Sequence, residues 1–337
     1  MALRTTIQDA FKALHRTGLS VLDVGSRGGL HPMFDEVAPL VEAVGFEPDT
    51  EECERLNQRF LASTVYRSLR FLPFGLGRKE DQQELNLCRS GGVSSVYRPN
   101  RSLLNRFPDA SRFDVVDTAS MPVRGLDELL KDPHLRLPAN IDFMKIDTQG
   151  SELDILQGAK GALLNQVVAV EVEVEFARLY DSQPLFRDVD LFLSECGFTL
   201  FKLRRAEWVR RGYEFRPHLS AGQLVFGDAL YLRDPLDPQT SWSPRDAHQA
   251  EALILISILY DLHDFAVEVS SAQNIAPMVE AEGIRRYVLE RSASLSRPWG
   301  HIHTVRSFMR WCKDALSTLK RYKSHWSRGD ENFYSRY

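Results

Sequence analysis

The sequence predicts an α/β protein: a mostly parallel sheet flanked by helices, followed by a helical extension. Three observations carry that prediction. A short apolar run ends in an aspartate and a glycine-rich turn, and a second ends in Glu47-Pro48-Asp49, so the chain opens as strand, glycine loop, helix, strand, acid, helix. Strand and helix signals alternate again from residue 141 to 226, the rhythm of a sheet with helices on both faces. The rhythm stops at the proline-rich stretch 233–244, and the pattern beyond it is helical. The division expected is 1–235 for the α/β domain and 236–337 for the helical extension.

Taken in order, residues 6–17 place Ile7, Ala10, Phe11 and Leu14 on one helical face. Residues 20–24 read as the first strand, the run 37–46 as the second, and 50–61 as a polar helix. Strands are expected at 70–74, 83–87 and 113–118, loops at 90–95 and 98–100, and a short helix at 126–130. Residues 141–146 form a strand ending at Asp147, 148–150 a turn, and 151–164 a helix with Ser151 or a neighbour as its N-cap. A β-branched strand at 167–174 comes next, then a helix at 189–196 closed by Gly197. Strands at 198–203 and 223–226 complete the sheet. Helices are expected at 245–265, 272–292 and 302–322.

Composition excludes several classes. With 43% hydrophobic and 26% charged residues, the chain reads as an ordinary globular protein. A net charge of -4 provides no global basic field, so no nucleic-acid partner is expected. Cys53, Cys88, Cys196 and Cys312 are far apart and lack paired ligand spacing, which argues against a zinc site or a disulfide framework and for free thiols. The amphipathic N-terminal stretch lacks the apolar core of a signal peptide, and no apolar run approaches the ~18 residues of a membrane span. A cytoplasmic location is expected. Residues 303–337 are rich in Arg, Lys and aromatics, which fits a dimer interface, a lid, contact with an anionic surface, or a packed helix with a solvated basic face.

The loop Asp23-Val24-Gly25-Ser26-Arg27-Gly28-Gly29 stands where the first strand hands over to the first helix of the α/β pattern. Its glycines permit a sharp turn and close approach of a ligand, in a pattern other than the G-x-G-x-x-G of dinucleotide enzymes. Glu47 ends the second strand, where a carboxylate can accept hydrogen bonds from both ribose hydroxyls of an adenosine ligand, and Pro48 stops the strand there. S-adenosylmethionine has no phosphate but carries an ammonium, a carboxylate and a sulfonium, and Asp23 at the head of the loop suits its cationic part. An NAD-dependent oxidoreductase is the alternative, and a non-catalytic module retaining the fold is a third.

A second constellation comes after the strand at 141–146. Asp147 stands at the C-terminal edge, as a site residue, an N-cap, or both. Lys145 is able to pair with a carboxylate. Glu171, Glu173 and Glu175 alternate with valines and share one strand face, either solvated or reaching into the cleft. Ser94 and Ser95 belong to a loop that either lines the same cleft or is simply flexible.

These segments (DVGSRGG, GFEPD, SSV, FMKIDTQGSELDILQGA and VEVEFARLYDSQPLF) resemble the FkbM-type methyltransferases over roughly residues 18–205. The run from Lys145 to Ala159 is the most specific part. The resemblance implies a Rossmann-like class I methyltransferase fold, S-adenosylmethionine as cofactor and O-methylation of glycans, polyketides or other natural products. It implies that Asp23, Gly25 and Gly29 form the cofactor loop, that Glu47 binds the ribose, that Asp147 lies beside the methyl group and that Glu152 supports the site. Ser26 and Asp49 complete the expected cofactor contacts. Arg27 stands where the family often has a smaller polar residue. An alcohol is a poor nucleophile at neutral pH, so Asp147 is expected to take the proton or, with Glu173, to hold a divalent cation. The expected partner is a sugar, glycan or other small hydroxylated acceptor, with a homo-oligomer formed through the helical extension as a further option.

Overall fold

The computed structural model describes residues 6–61, 65–213, 220–240, 242–295 and 326–330. Two short helices, α1 (Ile7–Ala10) and α2 (Lys12–Thr17), stand where one was expected. Phe11 between them leaves helical geometry, with φ -125° and ψ 68°, and packs its buried ring edge-on against Tyr287 at 5.9 Å. Strands β1 (Leu19–Val24), β2 (Val41–Phe46) and β3 (Ser68–Leu72) run parallel, with α3 (Thr50–Leu61) before β3. The first part of the apolar run 37–46 belongs to a 3-10 stretch, Pro32–Leu40, not to a strand. Pro39 has no N–H to give to a ladder.

A separate three-stranded sheet comes next. It joins β4 (Gly75–Leu76), β5 (Asp81–Cys88) and, after α4 (Arg101–Leu104), β6 (Val115–Arg124), in the order β4-β6-β5. The chain then forms α5 (Leu126–Leu129), β7 (Phe143–Ile146), α6 (Glu152–Gly158) and α7 (Lys160–Asn165). The helix expected over 151–164 therefore breaks at Ala159. A Cβ on Gly158 would lie 2.0 Å from the Gly77 carbonyl oxygen, and the Asp127 carboxylate accepts the N–H groups of Gly161 and Ala162 at 2.6 and 2.9 Å. Those bonds satisfy donors that would otherwise be orphaned at the start of α7.

The remaining elements are β8 (Ala169–Glu175), α8 (Phe186–Glu195), β9 (Thr199–Trp208), β10 (Gln223–Leu232), α9 (Ala247–Leu259), α10 (His263–Ser271), α11 (Ala281–Leu295) and β11 (Ser327–Gly329). The helix expected at 245–265 is interrupted before α10, where Asp261 adopts φ 59°. The helix expected at 302–322 lies outside the described residues, as does Cys312; Cys53, Cys88 and Cys196 are buried free thiols.

The large sheet has the order β11-β9-β10-β8-β7-β1-β2-β3. The five strands from β8 to β3 are parallel; β10, β9 and β11 each pair antiparallel with their neighbour. Chain order reverses between β1 and β7, the switch point outside which open α/β sheets bind ligands. Strand residues alternate between two cores. Leu22, Val24, Met144, Ile146 and Val172 face one, and Leu19, Val21, Phe143 and Leu230 the other. Helix α9 is buried from Gln249 to Leu259, and its apolar residues join the second core. The expected boundary at 235 falls between β10 and α9, and α9 to α11 contribute to the same core cluster as the sheet. No helix among the described residues is long and apolar enough to cross a membrane.

Candidate active site

The C-terminal edge of the sheet carries a band of charge on the face that α9 covers. Register places Asp23 beside Lys145, Lys145 beside Glu171, Glu173 beside Asp228 and Asp228 beside Arg204. Glu171, Glu173 and Glu175 are all buried, so their strand face is not solvated. Glu171 accepts the Tyr260 hydroxyl proton, and Arg204 pairs with Asp228.

The glycine loop is built against this edge. Gly25 has φ +83°, and a Cβ there would lie 2.1 Å from the Asp147 carbonyl oxygen. The N–H groups of Gly25 and Ser26 donate to Phe46 O at 3.1 and 3.2 Å, and Asp147 N donates to Val24 O at 3.0 Å. The loop is thus tied to β2 and β7 together. Asp23 Oδ1 and Ser26 Oγ are buried without a hydrogen-bond partner. Buried polar atoms are rarely left so, and a ligand's donors and acceptors would satisfy these. A cleft of about 680 Å³ opens here, lined by Asp23, Gly25, Ser26, Gly29, Lys145 and Asp147 among others.

Glu47 is buried on the loop after β2, where its Oε1 accepts Asp49 N at 3.0 Å. Asp49 is exposed and lies 3.6 Å from the Arg27 guanidinium, which links this loop to the glycine loop. Neither Glu47 nor Asp49 lines the cleft itself.

Asp147 is the centre of the second half. Lys145 Nζ lies 3.4 Å from its Oδ2, and Gln149 Nε2 lies 3.2 Å from its Oδ1 and 2.6 Å from Glu173 Oε2. Burial works to raise the Asp147 carboxyl, but Lys145 and hydrogen bonds from Glu173 and Gln149 hold it down at about 2. Glu173 moves the other way: burial and the neighbouring Asp147 charge push it well above the usual carboxylate range. The two environments push the pair apart, favouring the ionised form of Asp147 and the protonated form of Glu173. Burial also lifts Asp23 to about 6, against the pull of Lys145. Among the described residues, no group of three or more His, Cys, Asp or Glu side chains is placed to hold a metal ion.

Glu152 supports the turn before α6. Its carboxylate accepts Thr148 N at 2.9 Å, Thr148 Oγ1 at 3.0 Å and Gly150 N at 2.9 Å. Ser151 makes no side-chain cap; its hydroxyl goes to Thr148 Oγ1. Ser94 Oγ accepts Cys88 N, and Ser95 Oγ donates to Gln149 O at 2.7 Å. Ser95 braces the turn, and Ser94 the end of β5. Gln149, at φ 61°, and Tyr180, whose hydroxyl lies 3.3 Å from Gln149 Oε1, were not anticipated as site residues. Gln149 stands inside the specific Lys145–Ala159 run, which was the available signal.

The strand order and the loops at its switch point define a Rossmann-like, class I fold of the S-adenosylmethionine-dependent methyltransferase type. Residues 23–200, more than half of the chain, match the methyltransferase FkbM domain family, and the chain belongs to that family. No curated protein matches the chain. Among solved structures it is similar to methyltransferase FkbM from Methylobacillus flagellatus KT, with 15% identity and a TM-score of 0.34 over 63% of this chain and 44% of that one. It is also similar to magnesium protoporphyrin IX methyltransferase from Synechocystis PCC 6803 with bound S-adenosylmethionine, with 10% identity and a TM-score of 0.33 over 66% and 73%. Precorrin-6y C5,15-methyltransferase from Geobacter metallireducens GS-15 is similar at 9% identity, TM-score 0.32, over 66% and 85%. The chain spans less than half the length of the first of these.

Proposed function

We propose that this chain transfers the methyl group of S-adenosylmethionine to a hydroxyl oxygen of a sugar, glycan or other hydroxylated natural product. The observation that carries the reading is Asp147, a carboxylate held in its ionised form on the lining of the cleft that Asp23 also lines. When bound, S-adenosylmethionine supplies a methyl group on a positively charged sulfur, open to in-line displacement. Asp23 Oδ1 accepts from the ammonium group, and Ser26 Oγ donates to the carboxylate of the same ligand. Gly25 and Gly29 would let the ligand approach the backbone, and Glu47, whose loop is joined through Asp49 to the cleft-lining Arg27, would accept the ribose hydroxyls at the cleft's edge.

Asp147 orients the acceptor hydroxyl by accepting its hydrogen bond. It takes the hydroxyl proton as the new C–O bond forms and later gives it to water. A carboxylate of low basicity suffices, because a hydroxyl oxygen that is gaining a methyl group becomes strongly acidic. Glu173 keeps its own proton directed at Asp147, Gln149 fixes both carboxyl groups, and Lys145 keeps Asp147 ionised. Activation by a divalent cation is the second form of this reading, with Asp147 and Glu173 as ligands after Glu173 gives up its proton.

Calorimetric titration with S-adenosylhomocysteine tests the cofactor part: wild type binds, and Glu47→Ala binds much more weakly. An acceptor screen that starts with sugars then compares wild type with Asp147→Asn. Turnover should fall by about 10²–10⁴, the usual contribution of a positioned acid or base, with S-adenosylhomocysteine affinity retained. No binding to wild type, or normal turnover in Asp147→Asn, would sink the reading. Loss of turnover with a chelator, restored by Mg²⁺, would select the cation form.

A further inference from the structure

The cleft has a second side that the methyl-transfer reading leaves unused. Within the cleft that reading employs Asp23, Gly25, Ser26, Gly29 and Asp147, and its ribose contact at Glu47 lies beyond the lining. The lining continues through Leu30, Pro32, Phe60, Val65 and Tyr66, which are apolar or aromatic. The Phe60 ring meets the Tyr66 ring edge-on at 6.3 Å and rests 5.7 Å from the Phe71 ring behind it. Val65 is 56% exposed, so a ligand lying against this wall would take apolar surface out of water.

The polar groups on this side are largely engaged. The Tyr66 hydroxyl donates to Asp35, and His31 Nδ1 accepts Met33 N at 3.1 Å. Burial holds His31 down at about 4, so its ring is uncharged at neutral pH. Arg59, 5.4 Å from the Phe60 ring centre, is exposed and keeps its charge in water. What the wall offers a ligand is therefore mainly burial. It also adjoins the reacting end of the cleft. A Cβ on Gly25 would run into Asp147 O, and one on Gly29 would lie 3.1 Å from Phe60 Cε2. Ser26 O accepts Gly29 N at 2.9 Å, a turn whose ends stay within about 7 Å, so Gly25 and Gly29 stand about 11 Å apart at most. One end of this short loop lies against Asp147 and the other against Phe60, a span that a sugar ring with a short alkyl chain covers.

We propose that this side of the cleft is a subsite for an apolar substituent of the acceptor, so that the acceptor is an amphiphile. Its hydroxyl-bearing head meets Asp147 while an alkyl or aryl group lies against Phe60, Val65 and Tyr66. The inference rests on the methyl-transfer reading for the role of Asp147, but the subsite itself is measurable without turnover.

The test is calorimetric titration with hexyl β-D-glucoside, and with methyl β-D-glucoside as control, on protein with and without saturating S-adenosylhomocysteine. Each methylene taken out of water is worth about fourfold in affinity, so burying only two of the extra methylenes makes the hexyl compound bind about tenfold or more tightly. Val65→Asp and Val65→Ser should erase most of that preference, and Val65→Leu should keep it. Val116→Asp should also keep it: Val116 is 60% exposed on β6 and is not part of the lining, so it separates the subsite from general adsorption of alkyl chains. Unfolding midpoints report whether each variant is folded. Equal binding of the two glucosides, no binding of the hexyl glucoside, a preference that survives in folded Val65→Asp or Val65→Ser, or one that is lost in Val116→Asp would overturn the proposal. So would exclusion of the hexyl glucoside by S-adenosylhomocysteine, which would give the wall to the cofactor. Failure of S-adenosylhomocysteine to bind would sink the methyl-transfer reading alone, because a hexyl preference that depends on Val65 in the unloaded protein would still establish the subsite.

Discussion

Gly25→Ala tests how the glycine loop is built. At φ +83° an L-residue costs about 1–2 kcal/mol relative to glycine. The new Cβ would stand 2.1 Å from Asp147 O, where ordinary contact begins at 3.4 Å, so the loop and β7 must part by about 1.3 Å. That stretches the 3.0 Å bond from Asp147 N to Val24 O, worth about 1 kcal/mol. The sum, about 2–3 kcal/mol, lowers the unfolding midpoint by roughly 3–4 °C for a chain of this length. A shift of this size at a binding edge costs about 100-fold in function, and S-adenosylhomocysteine affinity should fall on that scale. Gly28→Ala is the control: φ is +91°, yet nothing lies within 4 Å of the added Cβ, so only the conformational cost applies. Its affinity should stay near wild type, with a drop in midpoint of roughly 1–3 °C. Melting curves and calorimetry on the two variants decide the matter. Equal affinities, or a wild-type midpoint in Gly25→Ala, would refute the argument from close approach.

Two further outcomes concern pH. Because burial lifts Asp23 to about 6, its carboxylate is protonated as pH falls through that value, and the hold on an ammonium group is lost. S-adenosylhomocysteine affinity should weaken below about pH 6, approaching tenfold per unit, and be flat above it; a flat profile throughout, or an unchanged slope in Asp23→Asn, would count against the contact. His248 lies 2.8 Å from Asp142 Oδ1 and 2.7 Å from Thr17 Oγ1, whose proton goes to Ala13 O, so both ring nitrogens donate. Burial alone would lower its pKa, but the Asp142 hydrogen bond and charge outweigh burial and raise it. The stabilisation is therefore complete below the ordinary histidine value near 6.5 and is lost as pH rises through the folded value. Wild type should lose its melting advantage over His248→Gln as pH rises above the ordinary histidine value; a constant difference would show that charge is not the cause.

Much of the site was legible because its parts are local. Asp23, Gly25 and Glu47 each end a strand or open a turn, and position in the chain alone puts them at one sheet edge. Asp147 and the alternating glutamates were legible for the same reason. What pairs with them was not. Asp228 and Arg204 meet Glu173 only through antiparallel strands whose registers no short pattern encodes, and the polar residues there hid the full length of β9 and β10. Gln149 looked like a turn residue because its φ of 61° suits a turn; its amide bridging two carboxyl groups is a tertiary fact. The break at Ala159 comes from Asp127, far back in the chain, and outweighs a continuous helical pattern. The strands of the second sheet were partly legible, but not that they stand apart from the first.

Helix α9 lies outside the stretch 23–200, yet its side chains line the sheet face that bears the charged band, and Tyr260 at its end binds Glu171. The portion that family members hold in common is therefore not a portable module. A chain cut after 235 would lose α9 to α11 from the second core and expose the apolar residues they cover, leaving only the N-terminal helices and the 3-10 stretch on that face. The loops that line the cleft lie within the matched segment, whereas the helix that covers the sheet face behind them lies outside it.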